Sequence, residues 1–91
     1  MDEEFINFLA NYTIRDGSIM KESYAKKIIS YLNRVSNEEG INLNDEYQKD
    51  NFISLIESME EKMQNGQKNK NTFLGDVTAL HKYAEYKKKS E

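Results

Sequence analysis

Residues 19–40, IMKESYAKKIISYLNRVSNEEG, decide the fold class. Tyr24, Ile28, Leu32 and Val35 fall at i, i+4, i+8 and i+11, which is one stripe of an α-helix, while Lys21, Lys26, Lys27 and Arg34 occupy the other faces. Ser18 is placed to cap the start, with Glu22 in the first turn. Gly40 stops the helix at a position where left-handed backbone costs glycine nothing. A helix from Ile19 to Glu39 is the expectation.

Working outward, Phe5, Leu9 and Tyr12 form a similar stripe in a first helix over residues 2–12, whose amino end carries Asp2, Glu3 and Glu4 where the helix dipole favours negative charge. Residues 13–18 break that period with Asp16-Gly17, a turn signal. Downstream, Ile41 and Leu43 tuck under the helices, and Asn44 or Asp45 caps a third helix. Its stripe is Phe52, Ile56, Met59 and Met63, flanked by Ile53 and Leu55, and it ends at Asn65-Gly66. Residues 67–71 are polar and aperiodic and read as a loop. Asn71 or Thr72 then caps a fourth helix with Phe73, Val77, Leu80 and Ala84 on its buried face, Leu74 and His81 alongside, and Lys87, Lys88 and Lys89 at its carboxyl end. The chain has no proline to interrupt any of these helices. Each helix is too short to persist alone, so the stripes must pack together. The predicted fold is all-α, a compact four-helix bundle in a single helical domain over residues 1–91, with 87–91 a basic tail or linker.

Composition limits the function classes. At 91 residues, 37% hydrophobic and 32% charged, with a mean hydropathy of -0.88, the chain suits a small well-solvated domain with one core. Cysteine is absent and there is a single histidine, which excludes disulfides, thiolate chemistry and a Cys/His zinc site. No apolar run is long enough for a membrane span, and the start Met1-Asp2-Glu3-Glu4 is the opposite of a basic signal-peptide leader. A cytoplasmic protein with no cofactor is expected. Residues 1–64 carry seven Lys and Arg against thirteen Asp and Glu, a balance of -6, whereas residues 65–91 carry six Lys against three acids, a balance of +3. Phosphate would be repelled at long range by the acidic body, so any nucleic-acid surface has to be a local face of lysines.

Phe5-Ile6-Asn7-Phe8-Leu9, the stretch from Ser18 through Ser23-Tyr24 to Leu32, and Thr78-Ala79-Leu80-His81-Lys82-Tyr83 occur in an order that resembles the N-terminal SAM-like, or core-binding, domain of phage integrases and other tyrosine recombinases. That resemblance implies a SAM-like bundle that lays helices two and four against double-stranded DNA. It also implies a module without chemistry, because the family's catalytic residues lie in a separate C-terminal domain for which 91 residues leave no room. DNA binding would be weak on its own. Lys21, Ser23, Lys26 and Lys27 on helix two and Lys68, Lys70, Asn71 and Lys82 around helix four are the candidate DNA-binding residues.

No catalytic site is expected. His81 stands beside an apolar stripe with no triad partner, and the acidic pairs Glu38-Glu39, Asp45-Glu46 and Glu60-Glu61 point to different sides of their helices. Asn42, Asn44, Asp45 and Glu46 lack the spacing of a calcium loop. Met59 and Met63 are expected in the core. The alternative function is a small acidic phage-type interaction or inhibitor domain that binds a host protein. It would use the acids of helices one and three with exposed aromatics such as Phe8, Tyr12 or Tyr47.

Overall fold

The computed structural model describes residues 3–14 and 17–90. Asp2 at the start of helix one, Asp16 of the turn and Glu91 of the tail lie outside these residues. The described chain is all-helical apart from one isolated bridge: α1 Glu3–Ala10, α2 Glu22–Glu39, α3 Leu43–Asp50, α4 Ile53–Gln64 and α5 Lys70–Ser90.

The long α5 is the spine on which α1, α2 and α4 pack, with α3 set against α4. Phe73, Ala79, Leu80, Tyr83 and Tyr86 are buried along it and meet Ile28, Leu32 and Val35 of α2, Leu55 and Met59 of α4, and Phe5 and Leu9 of α1 in one core. Five aromatic rings close one end: Phe5 packs edge-on against Tyr83 and Tyr86 at 5.4 and 5.3 Å, Phe8 lies 5.7 Å from Tyr86, and Phe52 lies 6.0 Å from Tyr83. The helices α2 and α5 run antiparallel, because Arg34 reaches Asp76 while Glu38, one turn further along α2, reaches Lys68 before the start of α5. Gly75 permits their close approach. A Cβ there would stand 3.2 Å from the Tyr31 ring.

Two expectations are corrected. Ser18 does not cap α2, which begins at Glu22. The Ser18 carbonyl is already taken by the Ile14 N–H at 2.9 Å, and the Met20 N–H donates to the Tyr12 carbonyl at 2.9 Å, so residues 12–14 pair with residues 18–20 as a narrow hairpin. Those backbone groups are committed to extended pairing, and helical bonds start only at the Lys21 carbonyl. Tyr24, assigned to the buried stripe, is 42% exposed on the first turn.

The third helix is two helices. Asn42, not Asn44 or Asp45, caps α3 by accepting from the Asp45 N–H at 3.0 Å, and the chain breaks at Asn51 and Phe52, both with positive φ. In a continuous helix Tyr47 and Phe52 would point to different sides. The break brings their rings to 6.0 Å and buries Phe52 almost completely. The Asp50 carboxylate accepts from the Ser54 backbone at 3.1 Å and from its hydroxyl, which satisfies the new amino end of α4 and holds the Asp50 pKa below the usual carboxylate value. Left-handed backbone costs an ordinary L-residue about 1 to 2 kcal/mol and glycine almost nothing. Asn51→Ala is therefore expected to lose about 1 kcal/mol in urea unfolding, and Asn51→Gly less than about half of that. Equal losses would show that backbone geometry is not what positions the break. The start of α5 differs by a small step: Asn69, rather than Asn71 or Thr72, accepts from the Asn71 N–H at 2.8 Å.

Candidate functional site

The antiparallel arrangement of α2 and α5 divides the candidate residues. Lys21, Ser23, Lys26 and Lys27 lie at the start of α2, where Lys82 joins them from the second half of α5. Lys68, Lys70 and Asn71 lie at the opposite end, beside Glu38. The helix between Tyr24 and Glu38 separates the two groups by roughly 20 Å.

Nor are the lysines equivalent. The Lys68 side chain is 7% exposed, with its Nζ 2.9 Å from Asp76 and 3.2 Å from Glu38. Burial opposes its charge, but the hydrogen bonds and charges of Asp76 and Glu38 outweigh that and raise its pKa above the ordinary lysine value. Lys82 donates to the Tyr12 hydroxyl at 3.0 Å, lies over the Tyr12 ring and sits 3.9 Å from Glu85. Its pKa is also raised: burial again acts against the charge, and the Tyr12 hydrogen bond and Glu85 overcome it. Lys26 pairs with Glu22 at 3.3 Å on an exposed turn. Lys21, Ser23, Lys27, Lys70 and Asn71 are exposed.

Lys68 belongs to a network that sequence reasoning missed. Asp76 is fully buried between the Arg34 guanidinium and Lys68, and its neighbour pair Lys62–Glu39, at 2.8 Å, ties α4 to the end of α2. The signal was an acid at the i+3 position of the Phe73 stripe, where an apolar residue belongs.

A different feature stands at the Lys21 end. Ile14, Ile19 and Tyr24 leave much of their surface exposed around a basin of about 640 Å³, completed by Ser18, Met20, Lys21 and Lys82. Ile19 is 63% exposed, more than any other large apolar residue described. Met20 is buried and forms a wall shared with a second pit of about 360 Å³, which is lined by Ile6, Ala10, Ala25 and Ile29, with Glu22 and Lys26 at its edge. Contiguous apolar exposure of this kind marks contact surfaces, whereas Leu74 and Ile53 are exposed elsewhere on other helices. In sequence, Ile14 and Ile19 flank a turn and belong to no helical stripe, which was the available signal.

The other candidates are accounted for by packing. Met59 is buried and Met63 half-buried in the core, as expected. Phe8, Tyr12 and Tyr47 are half-buried in ring contacts. His81 is exposed on α5. Among the described residues no three His, Cys, Asp or Glu side chains gather as a metal site would need, and no helix is long and apolar enough to cross a membrane. No protein-family model, curated protein or solved structure matches the chain.

Proposed function

We propose that this chain is a non-catalytic binding domain that takes a partner protein at the basin of Ile14, Ile19 and Tyr24. The carrying observation is that these large apolar side chains are exposed together at one end of the bundle and edged by Lys21 and Lys82. Apolar floor with a polar rim is the anatomy of protein interfaces. Binding sites for phosphate need a different arrangement, a run of free cations that tracks the backbone. Here Lys68 and Lys82 are engaged by neighbouring side chains of the domain and the other candidate lysines stand at two ends.

Double-stranded DNA bound by a SAM-like core-binding domain is the second reading, favoured by the exposed group Lys21, Ser23, Lys26 and Lys27 at the start of α2. The two are separated by one pair of measurements. Peptides selected from a random display library on the immobilised protein should be lost when Ile19 is changed to Ser; peptides that bind the variant equally well would sink the basin as the contact surface. Duplex DNA titrated at about 50 mM salt, where phosphate contacts are strongest, should show no association. Binding that falls steeply with salt and disappears in Lys21→Gln/Lys26→Gln/Lys27→Gln would establish the DNA reading instead.

A further inference from the structure

We infer, resting on the protein-binding reading, that the basin's occupant is a short amphipathic helix with two apolar anchors flanked by carboxylates. Two depressions, not one, lie at this end of the bundle, on either flank of the buried Met20, which is common to both. The first takes an apolar side chain against Ile14, Ile19 and Tyr24, and the second takes another against Ile6, Ala25 and Ile29. A segment that fills both must carry two apolar residues on one side. Residues at i and i+4 of a helix meet that need, and a helix leaves no backbone donor unpaired against an apolar floor.

The charges at the margins choose the flanking residues. Lys21 has no ion-pair partner among the described residues, whereas Lys82 is held by the Tyr12 hydroxyl at 3.0 Å with Glu85 at 3.9 Å, so the unpaired charge at the margin is that of Lys21. Glu22 and Lys26, which edge the second pit, pair with each other at 3.3 Å and leave that edge neutral. The rim is therefore positive in a chain whose net charge is -3. Glu57, Glu60 and Glu61 expose an acidic surface on α4, and a basic partner would be drawn there. An acidic partner is repelled by that α4 surface and meets Lys21 at this rim, so the charge pattern favours an acidic occupant here.

Two synthetic peptides of about 16 residues, long enough for about four helical turns, test this. They share a pair of leucines at i and i+4 on an alanine-rich helix and differ only in having Glu or Lys at the flanking positions. Fluorescence anisotropy at about 0.15 M salt, where only close charge pairs survive screening, should give at least about fivefold tighter binding of the Glu peptide. Lys21→Glu should reverse that preference, and Ile19→Ser should weaken both peptides by about tenfold. If Ile19→Ser alters the circular dichroism of the domain, Tyr24→Ser replaces it, since that side chain is also largely exposed. Equal binding of the two peptides, both weakened by Ile19→Ser, overturns the acidic occupant and leaves the basin standing as a protein-binding surface. Tighter binding of the Lys peptide to the unmodified protein does the same. Failure of both peptides to bind overturns the helical occupant, and the display selection then decides separately whether the basin binds protein at all.

Discussion

Asp76→Ala is expected to lower the unfolding free energy by about 2 to 3 kcal/mol in urea denaturation followed by circular dichroism. Removing one partner of a buried ion pair costs about 3 to 5 kcal/mol, because the charge left behind is unpaired in a poorly solvated place. Asp76 is fully buried, and the Lys68 side chain beside it is 7% exposed, but the Arg34 side chain is 35% exposed and can turn toward water. Lys68 also keeps Glu38 at 3.2 Å, so the loss falls at or just below the lower end of that range. The double change Asp76→Leu with Lys68→Met should recover most of the loss, since replacing both ends of a buried pair by apolar groups is close to neutral. A double variant as unstable as Asp76→Ala would mean that lost packing, not an orphaned charge, sets the effect. The network also has a pH signature. Lys68 has a raised pKa in the folded chain, so its contribution is complete below the ordinary lysine value of about 10.4 and is lost as pH rises through the raised folded value. Unmodified protein should lose stability in that alkaline window more steeply than the double variant does.

The parts of this fold that follow from a repeating period were legible, and the parts that depend on what a neighbour covers were not. Ile28, Leu32 and Val35 of α2, Phe5 and Leu9 of α1, and Phe73 and Leu80 of α5 are buried where their spacing placed them. Tyr24 belongs to the same period as Ile28, yet it stands open because no helix covers the first turn of α2 on the basin side. The break at Asn51 and Phe52 could not be read locally. Asparagine tolerates left-handed backbone, but a phenylalanine at φ 70 is held there only by the burial of its ring against Tyr47 and Tyr83. Lysines were the least legible residues. Nothing local distinguishes Lys68, folded into the Asp76 network, from Lys70, which is exposed two residues later. For the same reason the basin escaped notice: Ile14 and Ile19 look like loop residues until the hairpin sets them side by side at the end of the bundle.

Leu80→Ala should be still more damaging, lowering the melting midpoint by well over ten degrees. Truncating a buried leucine removes its transfer free energy and leaves a cavity that the surroundings close only in part, a loss of about 2 to 5 kcal/mol. A domain of this size has about 5 to 10 kcal/mol in total, and each kcal/mol moves the midpoint by roughly 4 to 8 °C. Leu80 has no exposed surface and lies on the helix that every other part of the core touches, so little room exists for neighbours to relax into the gap. Leu32, equally buried, belongs to the same core from α2. If the two side chains share one packing unit, the double variant Leu32→Ala/Leu80→Ala should lose less than the sum of the single losses, with a coupling of about 0.5 kcal/mol or more. Leu74→Ala supplies the contrast on the same helix: half of that side chain is already in water, and its removal should change stability by less than about 0.5 kcal/mol. Should Leu74→Ala prove as costly as Leu80→Ala, the face of α5 assigned to the core would be wrong, and with it the antiparallel packing that sets Lys82 beside Lys21 at the rim of the basin.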